Sequence, residues 1–239
     1  MSSSAERRSP DAGIDGGAPL SLLVLISGRG SNLRSIIDAI ARGDMAATVS
    51  AVISDRPDAP GLAHARDAGI HQIIVDRGAY PSRDAFESAL RAAIDSRRPD
   101  LLVLAGFMRV LGAGFVRAYE GRMINIHPSL LPAFPGLDTH QRALAAGAAE
   151  HGASVHYVTP EVDGGPVILR GRVPVRHDDD ADSLAARVLA QEHRIYPLVI
   201  RWIAEGRLTH RDGAPYFDGR PLKEPLDYAE IRAGTGAEP

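Results

Sequence analysis

Apolar residues in this chain fall into two patterns that alternate along its length. Short runs are apolar at nearly every position: 21–26 (SLLVLI), 48–53, 72–75 and 101–105 (LLVLA). Runs of about four to eight such residues are expected of strands covered on both faces, as in a parallel sheet. Between them, residues 32–41 set Leu33, Ile36, Ile37 and Ile40 at helical spacing. Residues 83–96 do the same with Phe86, Leu90, Ala93 and Ile94. Asp100, after Pro99, punctuates the start of the fourth run. A fifth strand is expected at 123–127 (MINIH), after a short helical piece at 112–119. The character then changes. Residues 128–138 form a proline-rich loop (Pro128, Pro132, Pro135), and 153–159 and 168–175 read as strands joined by 161–166. A connection that short favours antiparallel pairing. Residues 182–205 read as a long helix, with a kink or break expected at Tyr196–Pro197. A hairpin is expected around Asp212–Gly213, with fraying beyond it. The pattern as a whole predicts a Rossmann-like α/β fold: a doubly wound, mostly parallel sheet with antiparallel strands in its C-terminal half.

Composition narrows the function classes. The chain has 239 residues, of which 44% are hydrophobic and 24% charged, enough to bury a real core. Lys plus Arg is 27 and Asp plus Glu is 30, a net charge of −3. A non-specific nucleic-acid or membrane-surface binder carries a basic excess, which is missing here. Cysteine is absent, which removes disulfides, thiolate metal sites and cysteine nucleophiles. No apolar run approaches the roughly 20 residues of a membrane span. Residues 1–19 are rich in Ser, Gly and Asp, lack the apolar centre of a signal peptide, and are expected to be a disordered tail. A cytoplasmic enzyme or binding protein is the default expectation.

Three motifs carry candidate chemistry. The first, Ser27-Gly28-Arg29-Gly30-Ser31-Asn32, follows the first strand and opens the first helix. Glycines and a helix N-terminus offer free N–H groups to an anion. A nucleotide-triphosphate loop would need Gly-Lys-Ser/Thr, which is missing. A dinucleotide fingerprint would need a small third residue where Leu33 stands, although Asp55 could imitate its ribose-binding acid. A tight turn without ligand is the bland alternative, and a small phosphate ester the favoured ligand. The second motif is Asn125-Ile126-His127-Pro128. Asn125 and His127 are two apart on a strand and so share a face. Pro128 restricts His127 to extended backbone. An amide donor beside an acid–base group suits a carbonyl that becomes a tetrahedral oxyanion, against the alternative of a structural histidine. The third is Glu161-Val162-Asp163-Gly164-Gly165-Pro166. Its Asp163 could support the charged form of His127, or the motif could be no more than a turn. Ser154 and His156 share a strand face and could line the same cleft. Nine histidines show no zinc-binding spacing, so no metal is expected, and no serine-hydrolase elbow appears.

Together and in this order, LISGRGSNL, VISDR, GLAHARDAGI, LAGFMRVL, INIHPSLLPAFPG, HGASVHYVTPEVDGGPVI and QEHRIYP resemble the glycinamide ribonucleotide (phosphoribosylglycinamide) formyltransferase family, over about four-fifths of the chain. The resemblance implies transfer of a formyl group from the cosubstrate 10-formyltetrahydrofolate to the glycinamide amine in purine biosynthesis. It implies that Gly30, Ser31 and Asn32 hold the substrate phosphate and that Glu192 contacts its ribose. Arg83, Met108, Arg109, Val110, Leu111, Asn125, Thr159, Pro160, Glu161, Val162 and Asp163 would bind the folate. Asn125, His127 and Asp163 would be catalytic. The formyltransferase domain would span 20–208, with 209–239 as a C-terminal extension. Asp138 departs from the family, where His is common. The implied partners are the two small-molecule substrates, without nucleic acid or membrane; a homodimer is open. Formyltetrahydrofolate deformylases and methionyl-tRNA formyltransferases share the Asn-x-His-Pro and Asp elements but carry extra domains, and a non-catalytic nucleotide-binding module is the alternative outside enzymes.

Overall fold

The computed structural model describes residues 18–235. Residues 1–17, most of the expected N-terminal tail, and 236–239 lie outside the described residues. An eight-stranded sheet runs through the middle of the molecule, in the order β11 (Leu226–Asp227), β7 (Val167–Pro174), β6 (Glu150–Tyr157), β5 (Met123–His127), β4 (Leu101–Leu104), β1 (Leu20–Ile26), β2 (Ala47–Ser54), β3 (Gln72–Ile74). β1, β2, β3, β4 and β5 are mutually parallel where they pair. β6 and β7 then join antiparallel. This is the mixed sheet that the sequence pattern predicts.

The continuous apolar runs are explained by two cores, one on each face. In β1, Leu20, Leu22, Val24 and Ile26 enter one core, while Leu23 and Leu25 enter the other. Side chains alternate across the sheet, so a strand covered on both faces must be apolar throughout. α1 (Ser31–Ala41) and α6 (Ala181–Ala204) cover the first face, and α3 (Arg83–Asp95) and α4 (Ala113–Ala118) the second. Each of the two longer helices on which this cover depends starts at a specific cap. Ser82 accepts from the Ala85 N–H at 3.1 Å, opening α3. Asp180 and Ser183 form a reciprocal capping box that opens α6.

Of the kink or break expected at Tyr196–Pro197, a break does not occur. Pro197 sits inside a continuous 24-residue helix and is buried. Proline removes the N–H that would reach the His193 carbonyl, but the packing of Ile195, Tyr196, Val199 and Ile200 into the core holds the helix together across that gap. Two short helices, α2 (Leu62–Asp67) and α5 (Thr139–Ala145), escaped the sequence reading, because six or seven residues are too few to show a helical period. β6 starts at Glu150 rather than at 153, since polar His151 is buried in the strand.

The C-terminal segment differs more. The expected hairpin forms between β8 (Leu208–Arg211) and β9 (Ala214–Phe217), with Asp212 and Gly213 both at positive φ (50° and 77°). A second Asp-Gly turn follows: Asp218 and Gly219 have φ of 48° and 76° and pair β9 with β10 (Arg220–Pro221). Both match the two-residue hairpin turn whose central residues need positive φ. As far as residue 235 the chain then does not fray. β11 (Leu226–Asp227) pairs parallel with β7, and α7 (Tyr228–Thr235) follows. The Asp227 carboxylate accepts from Arg172 at 2.6 Å, which fastens this segment to β7. No helix among the described residues is long and apolar enough to cross a membrane.

Chain order reverses between β1 and β4, and loops at the carboxyl ends of strands at such a reversal form the usual ligand crevice of open α/β sheets. One buried hydroxyl helps hold this region: Tyr196 lies 3.0 Å from the Leu104 carbonyl and 3.1 Å from that of Ile124 and donates to them. It ties α6 to β4 and β5. Tyr196→Phe leaves two buried carbonyls without that donor and is expected to cost about 1–3 kcal/mol in urea unfolding. A loss under about 0.5 kcal/mol, within the range of neutral surface changes, would assign the tie no structural weight.

Candidate active site

The turn after β1 is built by close backbone approach. Gly30 has φ of 70°, and a Cβ there would lie 2.7 Å from the Cα of Gly61. The Gly61 N–H in turn donates to the Gly28 carbonyl at 2.9 Å. No side chain caps the N-terminus of α1, so its first-turn N–H groups keep the donor capacity an anion would use. Asn32 is buried and donates from Nδ2 to Glu192 Oε2 at 2.6 Å. The structure therefore brings together two of the predicted substrate residues, 160 positions apart in sequence, and turns the Asn32 side chain toward Glu192. Burial pushes the Glu192 carboxyl above its ordinary range, and the Asn32 hydrogen bond partly offsets this. A polar recess beside this turn is lined by Ser31, Arg34, Ser35 and His193 among others.

β5 shows why Asn125 and His127 stand where they do. Ile124 and Ile126 point into the first core, and Met123 opens the second. Asn125 and His127 continue the Met123 face past the point where the apolar packing ends. Their partners across the ladder are His156 and Ser154. Asn125 Nδ2 lies 3.1 Å from His156 Nε2, and His156 Nδ1 lies 2.9 Å from the Tyr157 carbonyl. A carbonyl only accepts, so Nδ1 carries the proton and Nε2 accepts from Asn125. Burial lowers the pKa of His156, which keeps that ring neutral. His156 thus orients the Asn125 amide and leaves its second N–H for another acceptor. Ser154 does not line the cleft: its hydroxyl donates to the Ser129 carbonyl at 2.7 Å and accepts from Leu131 N–H at 3.1 Å, anchoring the proline-rich loop.

Asp163 is brought over this strand face by its loop. It sits at φ 53°, and a Cβ on Gly165 would fall 1.8 Å from the Tyr157 carbonyl, so only glycine fits there. Oδ2 of Asp163 lies 3.4 Å from His127 Nδ1 and accepts the Gly136 N–H at 2.8 Å. Oδ1 lies 3.7 Å from His156 Nε2. His127 Nε2 lies 3.0 Å from the Phe134 carbonyl. Both His127 nitrogens therefore face acceptor oxygens, which a protonated ring satisfies with two N–H donors and a neutral ring with one.

The sequence reading missed several members of this neighbourhood. The Phe134 carbonyl leaves no residue-type signature. His140 Nδ1 and His151 Nε2 lie 3.2 Å apart, and the Phe134 ring packs edge-on against His151. Burial, with His140 and His127 nearby, pushes the His151 imidazole down to about 4. Among the described residues no group of three or more His, Asp or Glu is placed to hold a metal ion.

Apart from Asn125 on β5 and Arg83 on α3, the predicted folate residues lie on the loops after β4 and β6. Met108 and Val110 follow β4 and are 66% and 63% exposed; Val162, after β6, is 52% exposed. Leu137, in the proline-rich loop region, is likewise exposed, at 75%. Leu111 is buried instead, packed in the second core. The Arg109 guanidinium donates to Asp55, whose carboxylate is fully buried. Asp55 therefore does not imitate a ribose-binding acid; it lies under an arginine. Arg83 opens α3 and sits 3.6 Å from Glu87.

The chain is similar to known proteins over most of its length. The family described as Formyl transferase matches residues 20–200. The chain is 52% identical over 210 residues to phosphoribosylglycinamide formyltransferase of Escherichia coli K12, covering 88% of this chain and 99% of that one. The solved phosphoribosylglycinamide formyltransferase of Coxiella burnetii superposes with a TM-score of 0.84 at 52% identity, over 88% of this chain and 99% of that chain. Glycinamide ribonucleotide transformylase 1 of Symbiobacterium toebii superposes with a TM-score of 0.80 at 46% identity, over 83% and 94% of the two chains. With a family match over residues 20–200, and relatives this similar along nearly their full length, the chain belongs to the formyl transferases.

Proposed function

We propose that this chain moves the formyl group of 10-formyltetrahydrofolate to the amine of glycinamide ribonucleotide, a step of purine biosynthesis. The observation that carries the reading is the convergence of Asn125, His127 and Asp163 on one strand face: Asp163 lies 3.4 Å from His127, and His156 holds the Asn125 amide at 3.1 Å. In this reading the substrate phosphate occupies the Gly30–Ser31–Asn32 turn and Glu192 meets the ribose. The folate lies along Met108, Arg109, Val110, Leu111 and the 159–163 loop, with Arg83 toward its acidic tail. The full-length similarity to phosphoribosylglycinamide formyltransferases supports this choice of substrates.

The chemistry needs no covalent enzyme intermediate. The neutral amine attacks the formyl carbon, and the carbonyl oxygen becomes an oxyanion. The free Asn125 N–H and His127 stabilise it, while Asp163 supports the charge on His127. The bond from the formyl carbon to the folate nitrogen then breaks, and the proton lost by the amine goes to that nitrogen. His127 Nε2 faces the Phe134 carbonyl, so substrate oxyanion and loop compete for one donor. Preorganised donors of this kind are worth roughly 3–4 kcal/mol each in the transition state.

Two measurements check this reading. Consumption of 10-formyltetrahydrofolate is expected to require glycinamide ribonucleotide and to yield its formylated product. Equally rapid formate release without the ribonucleotide would make the chain a hydrolase. Glu192→Gln separates stability from function. A carboxyl whose folded pKa is raised contributes stability below its unfolded pKa and loses it as pH rises through the folded value. The glutamine keeps an acceptor for Asn32 without a buried charge. Its thermal midpoint at neutral pH is expected to be unchanged or higher, while the KM for the ribonucleotide rises about tenfold, the loss of one charged hydrogen bond. An unchanged KM would remove Glu192 from the ribose site.

A further inference from the structure

Residues 107–112, between β4 and α4, have no regular secondary structure, yet they include four residues assigned above to the folate. Side chains from three other elements hold this loop. At its start, the buried Ser27 hydroxyl, just past β1, accepts the Met108 N–H at 2.9 Å. In its middle, the Arg109 guanidinium donates to Asp55, just past β2. At its end, Glu87 on α3 accepts the Gly112 N–H at 2.7 Å. The three holders come from points 28 and 32 residues apart in the chain.

We infer that Ser27, Asp55 and Glu87 form a three-point clamp that preorganises the 108–112 loop for the folate, with Asp55 and Glu87 acting as positioning residues. Three features support a role in positioning. The Asp55 side chain is fully buried, while that of Arg109 is 40% exposed, so the anchor is rigid and the presented group faces outward. Oδ1 of Asp55 has no hydrogen-bond partner, which makes Arg109 the group that compensates the buried charge. A Cβ on Gly112 would lie 2.9 Å from Glu87 Oε2, so the backbone passes close against the carboxylate that holds it. Between these anchors, Met108 and Val110 project their apolar side chains into solvent, and Leu111 is drawn into the core. An unclamped loop would instead turn those apolar groups inward and lose the shape offered to a ligand. Glu87 also lies 3.6 Å from Arg83, so one carboxylate connects both predicted folate arginines to the same frame: Arg83 directly, Arg109 through the loop.

The inference rests on the folate reading of this loop, and the experiment separates the two. Steady-state kinetics of Asp55→Asn, Glu87→Ala, Glu87→Gln and Arg109→Ala are measured against 10-formyltetrahydrofolate at saturating glycinamide ribonucleotide, with thermal midpoints and amide hydrogen exchange of residues 108–112. If unclamping leaves the competent loop populated about a tenth of the time, the folate KM rises about tenfold in Asp55→Asn and Glu87→Ala. The ribonucleotide KM stays within about twofold, and amide exchange at 108–112 accelerates. Glu87→Gln keeps an acceptor for Gly112 and is expected to restore most of the parent KM and the parent exchange rates; a KM as high as that of Glu87→Ala would overturn the role of the Gly112 hydrogen bond. A raised folate KM in Arg109→Ala with parent values in Asp55→Asn and Glu87→Ala would overturn the clamp and leave the folate reading standing. Parent folate KM in all four variants, with exchange accelerated, would overturn the folate reading while the clamp itself survives as a structural device. Equal rises in both substrates' KM would mean general loosening and would overturn the positioning role.

Discussion

A carboxylate only 10% exposed must find N–H donors or a cation close by, or it is strongly penalised for leaving water. Asp163 finds them at one oxygen, which takes the Gly136 N–H and faces His127, while the other lies 3.7 Å from the unprotonated Nε2 of His156. That single group joins the 159–166 loop, the proline-rich 128–138 loop and the strand face carrying Asn125 and His127. Its direction is set by backbone: positive φ at Asp163, and a contact at Gly165 so tight that no side chain fits. If the carboxylate is moved, His127 loses its facing partner and the proline-rich loop loses an anchor.

The rest of the site depends on the scaffold in the same manner. Asn125 and His127 sit on β5, but Asp163 and residues 108–111 sit on irregular segments, and side chains elsewhere fasten the loops around the site. Ser154 holds the loop after β5, Tyr196 fixes α6 to β4 and β5, and Glu192, one turn before Tyr196, reaches Asn32 at the start of α1. A site spread over loops can remain well ordered when each loop is tied by groups whose own positions are determined by the core.

The sheet and its two layers were legible in the sequence because double-sided burial demands uninterrupted apolar runs, which few other structures produce. The Asn125–His127 pair was legible for a similar reason: two polar residues of one parity interrupt an otherwise apolar strand. Long-range pairings were not legible. Nothing local in Glu192 announces Asn32, and Asp55 in isolation suggested a ribose contact when it serves Arg109. Local propensity, read alone, allows a break at Pro197, where tertiary packing sustains one continuous helix. The segment after the first hairpin was read as fraying because its strands are two residues long, although its second Asp-Gly turn carried the same signal as the first.

Whether His127 and Asp163 work as one unit is tested most directly by a double-mutant cycle on formyl transfer to glycinamide ribonucleotide, using His127→Ala, Asp163→Asn and the double variant. Each single change is expected to lower kcat by about a hundredfold or more, the scale of losing one preorganised transition-state donor. Groups that act together are strongly non-additive, so the double variant should be no slower than the worse single variant by more than a few-fold. Losses that multiply, giving a double variant slower by the product of the two single effects, would contradict a shared role and leave the 3.4 Å approach of the two side chains without catalytic meaning.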